Sequence, residues 1–283
     1  MFITSELRNK LNSLTKYPKI PTYHQRDSKG LLVDGALNVE YRSTDRVHIT
    51  EKFDGENTRI TLLPTGEYMI GSREEWLTIS GDRLYNEKDG LVDAVRPYAD
   101  SVPQVPLFTS TTVITTFYVE VYGHRATNAW KNYGDGSVPG VRLFDVAQVP
   151  IDMLFDMEIE EIAAWRENAD HDGIWASTPD LYQIANLCGF TAATVLDSVM
   201  AADLPKDIDG MRDFLYQWPL TTGAISGTPG RSEGIVINDF WRKNLAKVKF
   251  KDYDKVWNAR AEENRLAEKA SRQAAFAAGR RGE

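Results

Sequence analysis

One cysteine, Cys188, is the whole thiol content of the chain. No disulfide can therefore form within it, and no cysteine cluster can hold a metal. No run approaches the roughly 18 apolar residues of a membrane span. The opening residues, Met1-Phe2-Ile3-Thr4-Ser5-Glu6-Leu7, lack the basic-then-apolar organisation of a signal peptide. Internal repeats and low-complexity tracts are absent. The expectation that follows is a soluble, cytoplasmic, monomeric protein with no membrane partner. Positive charge is also in deficit, with a net charge of −8 and a pI near 5.2. That balance argues against a nonspecific nucleic-acid coat protein, while leaving room for one basic groove on an acidic body. The acidity is concentrated in Asp156, Glu158, Glu160, Glu161, Glu167, Asp170 and Asp172, with Arg166 as the lone counter-charge. We read that stretch as a solvated helical face and not a metal site.

What the sequence does contain is ordinary globular material. The 283 residues are 42% hydrophobic, 26% charged and 11% aromatic. This suffices for one large domain, or a domain with an appendage. Patterning predicts helices over Glu6–Leu14, Asn86–Tyr98, Glu158–Arg166, Leu181–Leu187 and Ile208–Trp218, with Asp180 as N-cap of the fourth. Strands are predicted over Val47–Phe53, Thr58–Leu63, Glu67–Gly71, Val113–Tyr122, Val141–Val146, Gly234–Ile237 and Ala246–Phe250. The first two are read as joined by an Asp54-Gly55 turn. From Tyr253 the chain reads as a charged, alanine-rich helix. Adjacent strands that do not alternate strictly with helices indicate an α+β fold with largely antiparallel sheets.

The most informative segment is Thr50-Glu51-Lys52-Phe53-Asp54-Gly55-Glu56-Asn57. Strand alternation puts Val47, Ile49, Glu51 and Phe53 on one face and His48, Thr50, Lys52 and Asp54 on the other. Gly55 then permits a sharp turn and close approach of a ligand. A lysine amine held there beside a carboxylate suits attack on a nucleotide α-phosphate. An exposed lysine before a hairpin is the alternative.

Four more elements follow in order. In Phe117-Tyr118-Val119-Glu120-Val121-Tyr122-Gly123, alternation sets Glu120 between Tyr118 and Tyr122. A carboxylate buried there needs a partner such as a ribose hydroxyl or a hydrated metal; an edge-strand glutamate facing water needs none. Phe144, in Leu143-Phe144-Asp145-Val146, can stack on a purine or fill a core. Glu233, before Gly234-Ile235-Val236-Ile237, is delivered by the loop Gly227–Ser232 to the mouth of an apolar strand, where an oxygen ligand would serve metal or phosphate chemistry. Lys247 and Lys249 share a strand face and repel unless a phosphate lies between them; lysines on a solvent-facing edge strand would read the same way. Arg73, in Gly71-Ser72-Arg73, could hold a phosphate or pair with Glu74 and Glu75.

Taken in order, this set resembles the covalent nucleotidyltransferase superfamily of ATP-dependent DNA ligases, RNA ligases and mRNA capping enzymes. The likeness spans roughly residues 17 to 250. Glu51 directly before Lys52, Asn57 beyond it, and the Ser72-Arg73 pair most resemble phage RNA ligases that repair breaks in duplex RNA. That family often has histidine where this chain has Asp54, and Arg59 has no assigned role.

The resemblance implies an α+β nucleotidyltransferase domain, ATP-grasp-like, of antiparallel sheets flanked by helices over residues 1–250. A helical extension over 251–283 would follow it, with eight basic against six acidic residues and too few positions for an OB-fold barrel. It implies ATP and Mg²⁺, with Mn²⁺ able to substitute, and RNA ends, duplex or nicked, as partners in the host cytoplasm. Lys52 would be the nucleophile, made neutral by burial and by Lys247 and Lys249. Glu120 would bind ribose and Phe144 would stack on adenine. Lys247 and Lys249 would hold the α-phosphate. Glu51, Asn57 and Arg73 would border the nucleotide. Asp54, Glu120 and Glu233 would place metal. A DNA nick-sealing ligase and a noncatalytic end-binding protein are the alternatives, with a capping guanylyltransferase behind them.

Overall fold

The computed structural model describes residues 4–79, 82–84, 90–108, 110, 112–124, 127–168 and 173–279. Its first helix, α1 (Ser5–Leu14), starts where Thr4 Oγ1 accepts a hydrogen bond from the Leu7 amide at 3.2 Å. A short antiparallel hairpin follows, β1 (His24–Arg26) with β2 (Leu32–Leu37). Two larger sheets then make the body.

The smaller sheet is built from β3 (Arg46–Lys52), β10 (Val195–Met200), β11 (Gly234–Asp239) and β12 (Leu245–Lys249), in the order β10-β3-β11-β12. The larger contains β4 (Gly55–Leu62), β5 (Tyr68–Ser72), β6 (Trp76–Ile79), β7 (Asp82–Arg83), β8 (Val113–Tyr122) and β9 (Gly140–Pro150), in the order β7-β6-β5-β4-β8-β9. All pairings within both sheets are antiparallel. The α+β architecture expected from the patterning is therefore present, with seven α-helices among the described residues.

Each sheet buries one face under helices. Ile60, Phe117, Val119, Val121, Val141, Leu143 and Val146 of the larger sheet pack against α2 (Leu91–Ser101) and α5 (Thr178–Cys188). Val47, Ile49, Ile235, Ile237, Ala246 and Val248 of the smaller sheet pack against α6 (Ile208–Leu215) and the start of α7 (Phe250–Gly279) through Phe250, Tyr253 and Val256. On the larger sheet's other face Met69, Trp76, Ile114 and Val149 are buried against α1, and beside them its polar residues line a cavity shared with the smaller sheet. α3 (Met153–Asp156) and α4 (Ile159–Glu167) close a third apolar cluster with α1.

Two expectations are corrected. β3 and β4 are not a hairpin, because they lie in different sheets. Phe53 and Asp54 carry the chain from one sheet to the other. The freed backbone donors are met by side chains: Tyr133 Oη accepts from the Asp54 amide at 2.7 Å, and Glu120 Oε1 accepts from the Gly55 amide at 3.0 Å. Gly55 serves close strand packing, since a Cβ there would stand 2.3 Å from the Val121 carbonyl oxygen. The N-cap of α5 is Ser177, not Asp180: Ser177 Oγ accepts from the Asp180 amide, and Asp180 in turn accepts from the Ser177 hydroxyl. Helix α2 begins at Leu91, and the predicted start at Asn86 lies outside the described residues. The predicted helix over the C-terminal segment is found, beginning at Phe250. No helix among the described residues is long and apolar enough to cross a membrane.

Candidate active site

Two rows of side chains on the smaller sheet form one wall. In the first, the register aligns Lys52 of β3, Gly234 of β11 and Lys249 of β12. In the second, Thr50, Val236 and Lys247 align. Period-two alternation therefore puts Lys52, Lys247 and Lys249 on one face, as the sequence pattern indicated. Gly234 separates two of the lysines, and a Cβ there would stand 2.0 Å from the Val248 carbonyl oxygen. Glu233 fills the gap. Lys52 Nζ donates to Glu233 Oε2 at 2.7 Å, and Lys249 Nζ donates to Glu233 Oε1.

The larger sheet supplies the facing wall. Asn57 of β4, Glu120 of β8 and Arg142 of β9 align as one cross-strand row. A bulge in β9 pairs Asp145 with Tyr118 and Leu143 with Val119, leaving Phe144 as the extra residue. Leu143 and Val146 accordingly both enter the apolar core, while Phe144 and Asp145 both turn to the other side. Phe144 meets Tyr17 edge-on, with ring centroids 5.0 Å apart.

Between the walls lies a cavity of about 350 Å³. Glu51, Lys52, Asp54, Asn57, Arg73, Glu120, Phe144, Glu233, Lys247 and Lys249 all line it, so the residues singled out by sequence converge. Glu51 lines the cavity with its carboxylate already engaged by the chain. Its carboxylate accepts from the Thr221 hydroxyl, the Thr222 hydroxyl and the Thr222 amide, which pins the 221–222 loop under β3. Arg73 reaches the cavity from the end of β5, with its Nε 3.7 Å from Glu74.

The electrostatics correct one expectation. Burial pushes the Lys52 ammonium toward neutrality, but Glu120, Glu233 and Asp54 outweigh it, and its pKa is raised. The sequence shows the lysine pair and the adjacent Asp54, and the fold adds Glu120 and Glu233, whose pull exceeds that of Asp54. Burial raises the Glu233 carboxyl, yet Lys52 and Lys249 overcome this and hold it low. Glu120 is pushed up to about 7, chiefly by burial and against the pull of Lys52. Asp54 is raised by burial and by Glu233. Lys247 is lowered to about 8 by burial and by Lys249 and Lys52.

Asp54, Glu120 and Glu233 do not gather into a metal-binding cluster among the described residues. Both Glu233 oxygens are engaged by ammonium groups, and Glu120 serves the Gly55 amide. Burial is the chief cause that raises the Asp54 and Glu120 carboxyls, so ionising either one is costly without a cation beside it. That fits a hydrated divalent ion carried on ligand phosphates, which needs only one or two protein carboxylates.

Three features escaped the sequence reading. Arg142 lies in the cavity without a motif to announce it. Lys251, at the start of α7, lines the cavity beyond Lys249. Tyr17, Asp145 and Arg242 form a buried cluster linking α1's exit, β9 and the β11–β12 turn. Arg242 Nε and Nη2 donate to the two Asp145 oxygens at 2.8 and 2.9 Å, and the Tyr17 hydroxyl donates to Asp145 at 2.8 Å. Arg242 adopts φ 57°, the left-handed region that its residue type rarely occupies. Replacing Arg242 by alanine leaves Asp145 buried without its cation, and is expected to cost about 3–5 kcal/mol in urea unfolding.

No protein-family model matches the chain, and no curated protein matches it. Solved structures do. A lysine-to-alanine variant of Naegleria gruberi RNA ligase with ATP and Mn aligns at TM-score 0.50 and 11% identity, over 85% of this chain and 61% of that one. A glutamate-to-alanine variant with ATP and Mn aligns at TM-score 0.51 and 10% identity, over 85% and 62%. A second lysine-to-alanine variant with ATP and Mn aligns at TM-score 0.51 and 11% identity, over 83% and 62%. The chain thus spans under two thirds of the length of these ligases, and what it shares with them is the fold of an RNA ligase.

Proposed function

We propose that this protein is an ATP-dependent RNA ligase that works through a covalent lysyl-AMP intermediate. The observation that carries the reading is the in-register Lys52–Gly234–Lys249 row, bridged by Glu233 and facing Glu120 and Phe144 across one cavity. Likeness in fold to RNA ligase structures solved with ATP and Mn supports it. The nucleotide lies between the two sheets in an ATP-grasp-like manner. Phe144 stacks on the base, Glu120 takes the ribose, and Lys247 and Lys249 meet the α-phosphate.

In the first step the Lys52 Nζ–P bond forms as the bond from the α-phosphorus to the bridging oxygen breaks, and pyrophosphate leaves with that electron pair. Lys52 reacts as the neutral amine, its first proton lost to solvent as pH rises, and Glu233 Oε2, 2.7 Å away, is placed to receive the second proton as the N–P bond forms. In the second step a 5′-phosphate oxygen attacks the adenylyl phosphorus, and the N–P bond breaks. In the third, a 3′-OH attacks the activated 5′-phosphorus, AMP leaves, and its proton departs to solvent or a site carboxylate. A divalent ion held near Asp54 and Glu120 would neutralise phosphate charge. The lysine pair acts in the same sense, by meeting charge that grows on the transferring phosphate.

The test is the intact mass of the purified chain after incubation with ATP and Mg²⁺. Gain of one AMP moiety is expected, and no gain would reduce the protein to an end-binding module. Phe144→Ala is expected to raise the ATP concentration for half-maximal adduct formation, through a stacking loss of about 1–3 kcal/mol. An unchanged ATP dependence would leave Phe144 as packing alone.

A further inference from the structure

We infer that Arg142 is a specificity-determining residue that hydrogen-bonds a ring nitrogen on the base edge of the bound nucleotide; this rests on the nucleotide-binding reading above.

Arg142 stands on β9 close to Phe144, lines the cavity, and has Glu120 as its cross-strand partner. The order of strands fixes what lies where. From β9 through β8 and β4 to β5, the cavity residues run Phe144 and Arg142, then Glu120, then Asn57, then Arg73. Base stacking is assigned to β9 and sugar binding to β8. An arginine on β9 therefore belongs to the base end, away from Arg73.

Its donors are underused. Among the described residues Arg142 Nε is buried with no hydrogen-bond partner, and its Nη1 reaches only the neighbouring Val141 carbonyl at 3.4 Å. Among the described residues it makes no ion pair, although Glu120 is its neighbour in the sheet. The guanidinium carbon sits 5.5 Å from the centroid of Phe53 and 5.6 Å from that of Tyr122, so two rings fix its plane. Gly223 keeps the covering loop tight against the same rings, since a Cβ there would be 2.2 Å from Phe53.

A guanidinium offers donors and no acceptor. A desolvated, unpaired donor is costly until a partner arrives. The only partners a base can present to it are acceptors, and on adenine those are the ring nitrogens N1, N3 and N7. The exocyclic amine, a donor, is the wrong complement.

The test is a cycle of equilibrium ATP binding. Wild type and Arg142→Ala would each be titrated with ATP and with its 1-deaza, 3-deaza and 7-deaza analogues. Arg142→Ala should bind ATP about tenfold more weakly, the size of one charge-assisted hydrogen bond. One analogue should bind wild type about tenfold more weakly than ATP does, yet bind the variant as well as ATP does. Equal discrimination by both proteins against all three analogues would overturn the proposal and leave Arg142 a packing residue. Should Arg142→Ala fail to fold, Arg142→Gln carries the same comparison. A wild-type chain that binds neither ATP nor any analogue would overturn the nucleotide reading, and this inference with it.

Discussion

Replacing Lys52 by alanine is expected to abolish the covalent AMP adduct. The adduct needs an amine at that place on β3, and alanine offers none. The expected loss is complete within detection, not graded. Lys52→Arg should fail as fully, because guanidinium stays protonated and is not a nucleophile at neutral pH. The arginine variant matters because it keeps a positive charge beside Glu233 and so controls for loss of the ion pair. Both variants should still bind ATP, since Phe144, Glu120 and the Lys247–Lys249 pair remain. Intact mass after incubation with ATP and Mg²⁺ reads the result. An AMP moiety on either variant would remove Lys52 from its role.

Glu233→Gln should have the next largest effect. Glu233 bridges Lys52 and Lys249, and it is among the carboxylates that hold the Lys52 ammonium in its protonated form. A raised ammonium pKa means that the neutral nucleophile becomes available only as pH climbs. Adduct formation in the wild type should therefore rise with pH. Removing one of the opposing carboxylates lowers the Lys52 pKa, so the rise should move to lower pH in the variant. The plateau rate should nevertheless fall by about 10²–10⁴, the usual scale for a positioned proton acceptor. The check is the single-turnover rate of adduct formation across pH, in both proteins. An unshifted profile would mean that Glu233 does not set the protonation of Lys52.

Much of this site was legible in one dimension. Lys247 and Lys249 share a face because strands have a period of two, and the same rule set Val47, Ile49 and Glu51 opposite Thr50 and Lys52. The glycine after Glu233 could be noticed, although its reason, the Val248 carbonyl approaching across β12, is a tertiary fact. What could not be read was anything carried by long-range contact or broken alternation. The bulge at Phe144 puts two consecutive residues on one side, and no local pattern signals it. The Asp54-Gly55 pair reads as a hairpin turn by composition, yet it spans two sheets because Tyr133 and Glu120 satisfy its amides from afar. Arg242 and Asp145 are distant in sequence, and only folding makes them a pair. The protonation of Lys52 was misjudged for the same reason: sequence supplies an inventory of charges, and distance decides which of them count.

The choice of RNA over DNA is the part of the function that chemistry at Lys52 alone does not determine. A 2′-OH offers a donor and an acceptor that DNA lacks, so an enzyme specific for RNA ends should sense it at the join. The measurement is the sealing rate of four nicked duplexes that differ only in the sugars flanking the nick. Efficient sealing is expected when the nucleotides on the 3′-OH side are ribonucleotides. Slower sealing is expected when those are deoxyribonucleotides, with the 5′-phosphate strand tolerant of either sugar. Sealing of the all-DNA nick at an equal or faster rate would contradict the assignment as an RNA ligase.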